Sequence, residues 1–353
     1  MSAAARALVL HYTGYDDDRG GIVSIVRALN SAGEFDCVLG VNTGARQQRT
    51  PPLPQLELPP VRGETIGLAD LWRARAVARA VRVWLRADSR RIFHGHSRAG
   101  LLVALWLQRW GEKRCVASVH CYGRRRWFYR WAARTLETKL FWLSPAMRAY
   151  YGIGGIQWEQ CIPGAAAPMH VVRSPAPPGR LRLGGIGSLV PWKGWDTVIE
   201  ALGCLAPADR ARVSFTHIGA GAVDYTTELR QLAQSRGVSA QVNFCGEESS
   251  PERLLGEIDL LVIASRNEPF SVAMLEALQA GVPVLAADSG GAKDVVRDGV
   301  NGALYPTGDT AALAVRLRGW LENPPAWEPA SVRDSAPRLD VIAAQWRQVY
   351  ERL

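Results

Sequence analysis

"NEPFSVAMLEALQAGVPVLAADSGG" fills residues 267–291 and decides how the rest of the chain is read. An apolar run with helical spacing carries two carboxylates, Glu268 at its mouth and Glu276 within it. A helix that packs into a core does not bury a carboxylate unless something compensates the charge. Just upstream, "DLLVIAS" (259–265) reads as a strand ending at Ser265, and a helix is predicted to start near Phe270 or Ser271. "VPVLAA" then reads as another strand, closed by Gly290 and Gly291. Strand, loop, helix, strand at this spacing is the grammar of a parallel sheet, whose ligands collect where strand ends enter helices. Glu268 is therefore placed at the mouth of a binding crevice. The unpaired N–H groups of a helix start favour anions, so capping alone would explain Glu268. Capping explains Glu276 poorly, because Val272, Ala273, Leu275, Ala277 and Leu278 around it look packed. A carboxylate so placed suits hydrogen bonds from a diol such as a ribose.

The same grammar runs through the chain twice. "RALVLHYT" (6–13), "RRIFHGHS" (90–97) and "CVASVHCYG" (115–123) read as strands, and "IVSIVRALNSAG" (22–33) as a helix stopping at glycine. A proline-rich passage at 163–180 follows, and then the pattern restarts with "RLRLGGIGS", "GWDTVIEALGCL", "VSFTHIG" and "QVNFCG". A second proline-rich break at 323–337 precedes an amphipathic helix, "LDVIAAQWRQVYERL". The expected organisation is an α/β fold of two Rossmann-like domains facing across a crevice, with domains at 1–168 and 181–330 and a linker at 169–180. The last helix (338–353) is expected to cross back to the first domain. At 353 residues, two domains is also the prior from length.

Hydrophobic content of 48% and charged content of 21% are those of a globular protein. The N-terminus has too short an apolar run for a signal peptide, and "AGLLVALWL" (99–107) falls well short of the roughly 20 residues that span a bilayer. A cytoplasmic location is expected. The six cysteines form no C-x-x-C pair and read as buried thiols. Net charge is +9, but residues 1–180 carry 26 Lys and Arg against 12 Asp and Glu, and residues 181–353 carry 16 against 21. One half is built to face something anionic.

From Glu268 and Glu276 through "ALQAGVPVLAADSGGAKDVVRDGVNGALYPTGD", the sequence resembles the retaining glycosyltransferases of family 4, which have the GT-B fold. The resemblance extends through "GIGSLVPWKGWDTVIEAL" (185–202), "IGAGAV" (218–223) and "NFCGEESSPERLLGEIDLLVIAS" (243–265). It is looser over "RGGIVSIVRALN", "HGHSRAG", "SVHCYG" and "WLSPAMRAYYG". It implies a nucleoside-diphosphate sugar as donor, Glu276 on its ribose, and Glu268 with the backbone of Phe270, Ser271 and Val272 on its sugar and phosphate. Lys193 would neutralise the leaving diphosphate, with Gly20 and Gly21 offering N–H groups from the other domain, since aimed dipoles stabilise charge that develops in a transition state. Ser188 and Gly246 complete the implied donor site, and His120, Lys193 and Glu268 the implied catalytic set. The acceptor would be a glycan or lipid-linked acceptor; a soluble enzyme acting on a small-molecule acceptor and a non-catalytic interaction protein on the same scaffold are the alternatives. No metal or other cofactor is implied, and retention needs no carboxylate nucleophile.

Several positions depart from the family. Ser188 stands where many relatives carry an arginine, and Arg266 is the positional candidate to replace it. Asp294 replaces a glutamate, and Gly164 an asparagine. His120 ends its strand at a sheet edge, where a structural and a catalytic reading stand equal. His94 and His96 are two apart with no third ligand apparent, so packing is expected for His94 and crevice lining for His96. Arg98 is grouped with His96 near the acceptor.

Two basic stretches account for the charge. In "LWRARAVARAVRVWLRA" (71–87), Leu71, Ala74, Ala78, Val81 and Leu85 form a core seam beside Arg75, Arg79, Arg82 and Arg86. In "GRRRWFYRWAARTLETKLFW" (123–142), Arg126, Arg130 and Arg134 share a helical face among Trp127, Phe128 and Trp131. A plain solvated surface and an anionic membrane surface both fit. Nucleic acid is not expected, for no nucleic-acid module accompanies the charge.

Overall fold

The computed structural model describes residues 6–14, 20–43, 53–61, 67–154, 160–174, 177–247 and 250–353. The chain divides into two compact units, residues 1–167 with 337–353, and residues 168–336.

The first unit is built on a six-stranded parallel sheet. In chain order it holds β1 (Leu8–Tyr12), α1 (Gly21–Ala32), β2 (Asp36–Asn42), β3 (Gln55–Leu58), α2 (Leu68–Arg86), β4 (Arg91–Gly95) and α3 (Ser97–Arg109). β5 (Cys115–Val119), α4 (Arg126–Leu136), β6 (Leu140–Trp142) and α5 (Pro145–Tyr150) follow. The strand order is β3-β2-β1-β4-β5-β6. Its strands are near-continuous apolar runs because both faces are covered. α2, α3 and α4 pack on one another as a layer, and α1 packs on the last helix of the chain. The turn from β4 into α3 depends on two glycines: a side chain at Gly95 would run into the carbonyl of Gly100.

The second unit repeats the plan. β7 (Leu181–Ile186), α6 (Trp195–Gly203), α7 (Pro207–Arg210), β8 (Val213–Ile218), α8 (Val223–Ser235), β9 (Val242–Gly246), α9 (Glu252–Glu257) and β10 (Leu260–Ile263) come first. α10 (Val272–Gln279), β11 (Val284–Ala287), α11 (Ala292–Val295), β12 (Gly302–Tyr305), α12 (Thr310–Glu322) and α13 (Pro329–Asp334) complete it. The order is β12-β11-β10-β7-β8-β9, again all parallel. Leu183, Val198, Phe215, Val262, Leu285 and Leu317 centre its core. Two Rossmann-like domains are thus present. α14 (Leu339–Glu351) returns to the first unit, where Trp346 packs at a tilt and Tyr350 edge-on against His94.

The proline-rich passage is more attached than a free tether. Arg173 donates to the carbonyls of Ile258 and Gly281, and Ser174 N–H to Gly256 O. Its residues 175 and 176 lie outside the described residues. In α2 the seam is shifted: Leu71 is 37% exposed, and Val77 is buried with Ala74, Ala78, Val81 and Leu85. Val77, three residues after Ala74 and four before Val81, widens the buried stripe, while Leu71 lies in the first turn of the helix. Among the described residues no helix is long and apolar enough to cross a membrane.

Candidate functional site

In the second unit, three loops meet at the carboxyl edge of the sheet. The loop after β7 ends in a 3-10 turn, Pro191–Lys193, which hands over to α6 at Gly194. Gly194 has φ 73°, and a side chain there would strike the carbonyl of Ala264 just past β10. Only glycine lets the turn sit this close. The approach sets Lys193 Nζ 2.5 Å from Glu268 Oε2. Ser265 Oγ donates to the same oxygen at 3.0 Å, and Ser289 Oγ, after β11, ties Ser265 O at 2.7 Å. Glu268 is 7% exposed, so its charge is compensated where it is buried. Lys193 also lies 4.5 Å from the centre of the Trp192 ring.

α10 starts one residue after its cap, Ser271, whose Oγ accepts from Met274 N. Phe270, in the loop between β10 and α10, is buried. Glu276 lies on the second turn of α10, half-buried, with Leu275, Ala277 and Leu278 buried around it. Ser188 is exposed, and its carbonyl accepts from Trp195 Nε1. Gly246 closes β9 with φ 81° and open space where a side chain would be. Arg266 does not fill the place of the missing arginine. It is held by Asp196 at 2.5 Å and by Pro191 O at 2.6 Å, so it braces the turn that carries Lys193. Asp294 sits in the first turn of α11 behind the glycine pair.

The first unit has its own polar edge. Gly20, with φ 96°, caps α1, which has no side-chain cap and no acidic residue in its first turn. On the sheet, His11 of β1 pairs in register with His94 of β4. Because side chains alternate along a strand, His94 and His96 share one face, as do Ser118 and His120. His11 Nδ1 meets His96 Nε2 at 2.9 Å, and His96 Nδ1 meets His120 Nε2 at 2.9 Å. His94 bonds Tyr350 Oη and Ser118 Oγ, each at 2.7 Å. Burial pushes His11 down to about 3 and His120 to about 4, and holds His94 and His96 well below the usual imidazole range.

These contacts revise two expectations. His96 does not line a surface: it is 2% exposed and stands behind the half-buried His120. The histidine pair does have a third imidazole nearby, since ring nitrogens of His11, His94 and His96 lie within 4.8 Å of one another. No spacing rule finds His11, which sits more than eighty residues upstream; only strand register brings it there. Cys37, whose sulfur lies 3.5 Å from His11 Nε2, was equally hidden. Arg98 reaches Tyr129 Oη, on α4, at 3.3 Å.

On the α2–α3–α4 layer, Arg126, Arg130 and Arg134 are exposed beside Trp127 (62% exposed) and Trp131. Arg75 stacks between Trp72 and Trp106, and Arg82 on Trp110. Arginine and tryptophan are interleaved across all three helices.

Two parallel-sheet domains of this kind are the GT-B fold of glycosyltransferases, and residues 172–336 match the family described as glycosyl transferases, group 1. The D-inositol 3-phosphate glycosyltransferase of Mycobacterium marinum is 34% identical over 140 residues, 39% of this chain and 30% of that protein. The lipopolysaccharide core biosynthesis glycosyltransferase LpsE of Rhizobium meliloti is 33% identical over 129 residues, 36% of each chain. The chain thus spans about a third of the length of the curated relatives it matches. Among solved structures, Anabaena HepE in complex with UDP and glucose superposes with a TM-score of 0.74 at 19% identity, covering 98% of this chain and 100% of that one. The lipopolysaccharide outer core galactosyltransferase WaaB gives 0.74 at 15% identity, covering 98% and 99%.

Proposed function

We propose that the protein is a retaining glycosyltransferase. It moves a sugar from a nucleoside diphosphate to a glycan or lipid-linked acceptor in cell-surface polysaccharide or glycolipid synthesis. The observation that carries this reading is the Lys193–Glu268 pair at the edge of the group 1 domain, beside the start of α10 at Val272. As the anomeric C–O bond breaks, the departing diphosphate gains charge, and Lys193 exchanges Glu268 for a phosphate oxygen. Glu268, so released, takes hydrogen bonds from the sugar hydroxyls. Glu276 receives the ribose diol, and the N–H groups at Phe270, Ser271 and Val272 donate to the phosphates and sugar. The acceptor hydroxyl bonds to the anomeric carbon on the face the diphosphate leaves, and its proton passes to the diphosphate oxygen. No metal is required, because lysine and helix N-termini supply the positive field.

HepE, crystallised with UDP and glucose, and the lipopolysaccharide relatives favour a UDP-hexose donor and a cell-envelope acceptor. The arginine and tryptophan layer of the first unit suits the inner face of the cytoplasmic membrane, where a lipid-linked phosphate would meet the same charge. The test is a thermal-shift screen of UDP-, GDP- and ADP-sugars, followed by NMR of the product's anomeric configuration. A donor at 100 times its dissociation constant adds about 2.7 kcal/mol. An inverted product, stabilisation by none of the three, or reversible loss of transfer in EDTA would each overturn part of this reading.

A further inference from the structure

The buried histidines of the first unit have a direction. Cys37 Sγ lies 3.5 Å from His11 Nε2, His11 Nδ1 2.9 Å from His96 Nε2, and His96 Nδ1 2.9 Å from His120 Nε2. The row runs from a thiol that is 2% exposed to an imidazole at the carboxyl edge of the sheet. His120 Nδ1 has no hydrogen-bond partner among the described residues and is not among the buried unpaired atoms. Neutral imidazole donates through one nitrogen and accepts through the other, so fixing one ring fixes the next.

We propose that Cys37, His11 and His96 are positioning residues that hold His120 as the neutral Nδ1–H tautomer, presenting a hydrogen-bond donor to a ligand oxygen. The thiol sets the polarity. S–H donates to His11 Nε2, His11 Nδ1–H to His96 Nε2, and His96 Nδ1–H to His120 Nε2, leaving the last proton on His120 Nδ1. The opposite polarity would use sulfur as the acceptor, a weak one, and leave the S–H without a partner. Burial raises Cys37 and keeps it a thiol, and burial lowers all three imidazoles and keeps them neutral. The row orients and does not conduct. If His120 gave its Nδ1 proton to a ligand and refilled from inside, the deficit would end as a thiolate on buried Cys37. His120 therefore serves no proton transfer to or from the acceptor hydroxyl through Nδ1; it holds an oxygen in place.

A metal held by His11, His94 and His96 is the competing use of the same rings. Both nitrogens of His94 are already engaged, by Tyr350 and Ser118, and the facing nitrogens of His11 and His96 bond each other. A metal would have to break these bonds without restoring them.

The proposal rests on the glycosyltransferase reading only in assigning the ligand oxygen to the donor sugar, and its test needs no donor. The full chain is labelled with 13C,15N-histidine and its long-range ring correlations are recorded at pH 7.5, with His120→Gln identifying the His120 signals. The expected result is a single His120 tautomer protonated at Nδ1. Cys37→Ala, which removes the polarity-setting donor, should give a mixture of the two tautomers, and Cys37→Ser should restore the single form. A wild-type His120 protonated at Nε2 overturns the proposal, whether or not the variants fold. So does an unchanged tautomer in Cys37→Ala, or a stoichiometric transition metal in the purified protein. Failure of the donor screen with the tautomer intact would count against the glycosyltransferase reading alone.

Discussion

Lys193 and Glu268, 75 residues apart, share a 2.5 Å ion pair whose two ends belong to different loops at one sheet edge. Removing either partner would leave the other without its ion pair in a largely buried place, which is costly. On the proposed function, a diphosphate would compete for the lysine and leave the carboxylate to sugar hydroxyls.

Lys193→Ala should lower turnover more than donor affinity, because its charge acts chiefly on the developing diphosphate. It should also destabilise the second unit by about 1–3 kcal/mol, the cost of leaving Glu268 without its partner. Adding Glu268→Gln should recover stability in denaturant titrations without recovering turnover. A Lys193→Ala enzyme with the native rate would remove the lysine from the chemistry.

Glu276→Gln keeps side-chain volume and removes a charged acceptor. Nucleotide affinity should fall by about 1.5–3 kcal/mol, the range for a hydrogen bond to a charged group. Calorimetry against the nucleotide found in the screen measures this directly, and unchanged affinity would take Glu276 out of the site.

Acid should weaken the first unit through its histidines. His11, His94, His96 and His120 bind protons less readily folded than unfolded, because burial lowers all four from 6.5, to about 3 for His11 and about 4 for His120. Between pH 6.5 and about 4 the unfolded chain therefore binds more protons. Stability is full above 6.5 and is lost as the pH falls, by about 1.4 kcal/mol per pH unit for each fully protonating histidine. Urea midpoints at pH 7.5 and 5.5 check the sign: a midpoint that rises on acidification would contradict it.

Vesicles test the basic layer. Arg126, Arg130 and Arg134 are exposed on one face of α4, and each basic residue near an anionic surface adds roughly 1 kcal/mol within a Debye length of about 8 Å. The protein should sediment with vesicles containing acidic lipid at low salt and be released by high salt. It should bind markedly less when the three arginines become glutamine. Binding that ignores those changes would leave the arginines as a solvated face.

What the sequence made legible follows from where its signals are local. "DLLVIAS", "VPVLAA" and the two long helical patterns were readable because parallel strands buried on both faces are unbroken apolar runs. β3 carries no such run, and β6, a run of only three residues, was absorbed into the helical pattern read over 123–142. Glu268 and Lys193 were legible as positions, but their pairing was not, since it depends on how close Gly194 comes to Ala264. Arg266 illustrates the limit: position alone offered it in place of the missing arginine, and nothing in the sequence pointed to Asp196 as its partner. The histidine row needed sheet register, for nothing near Cys37 or His11 in the sequence points to His120.

The return of α14 also sets an order on synthesis. Tyr350, the partner of His94 Nδ1, emerges from the ribosome only after the whole second unit. Until then a nascent first unit lacks the two rings that cover His94, whereas the second unit is continuous in sequence. The later unit is the one able to fold first, and the earlier one is sealed by a helix that arrives from beyond it.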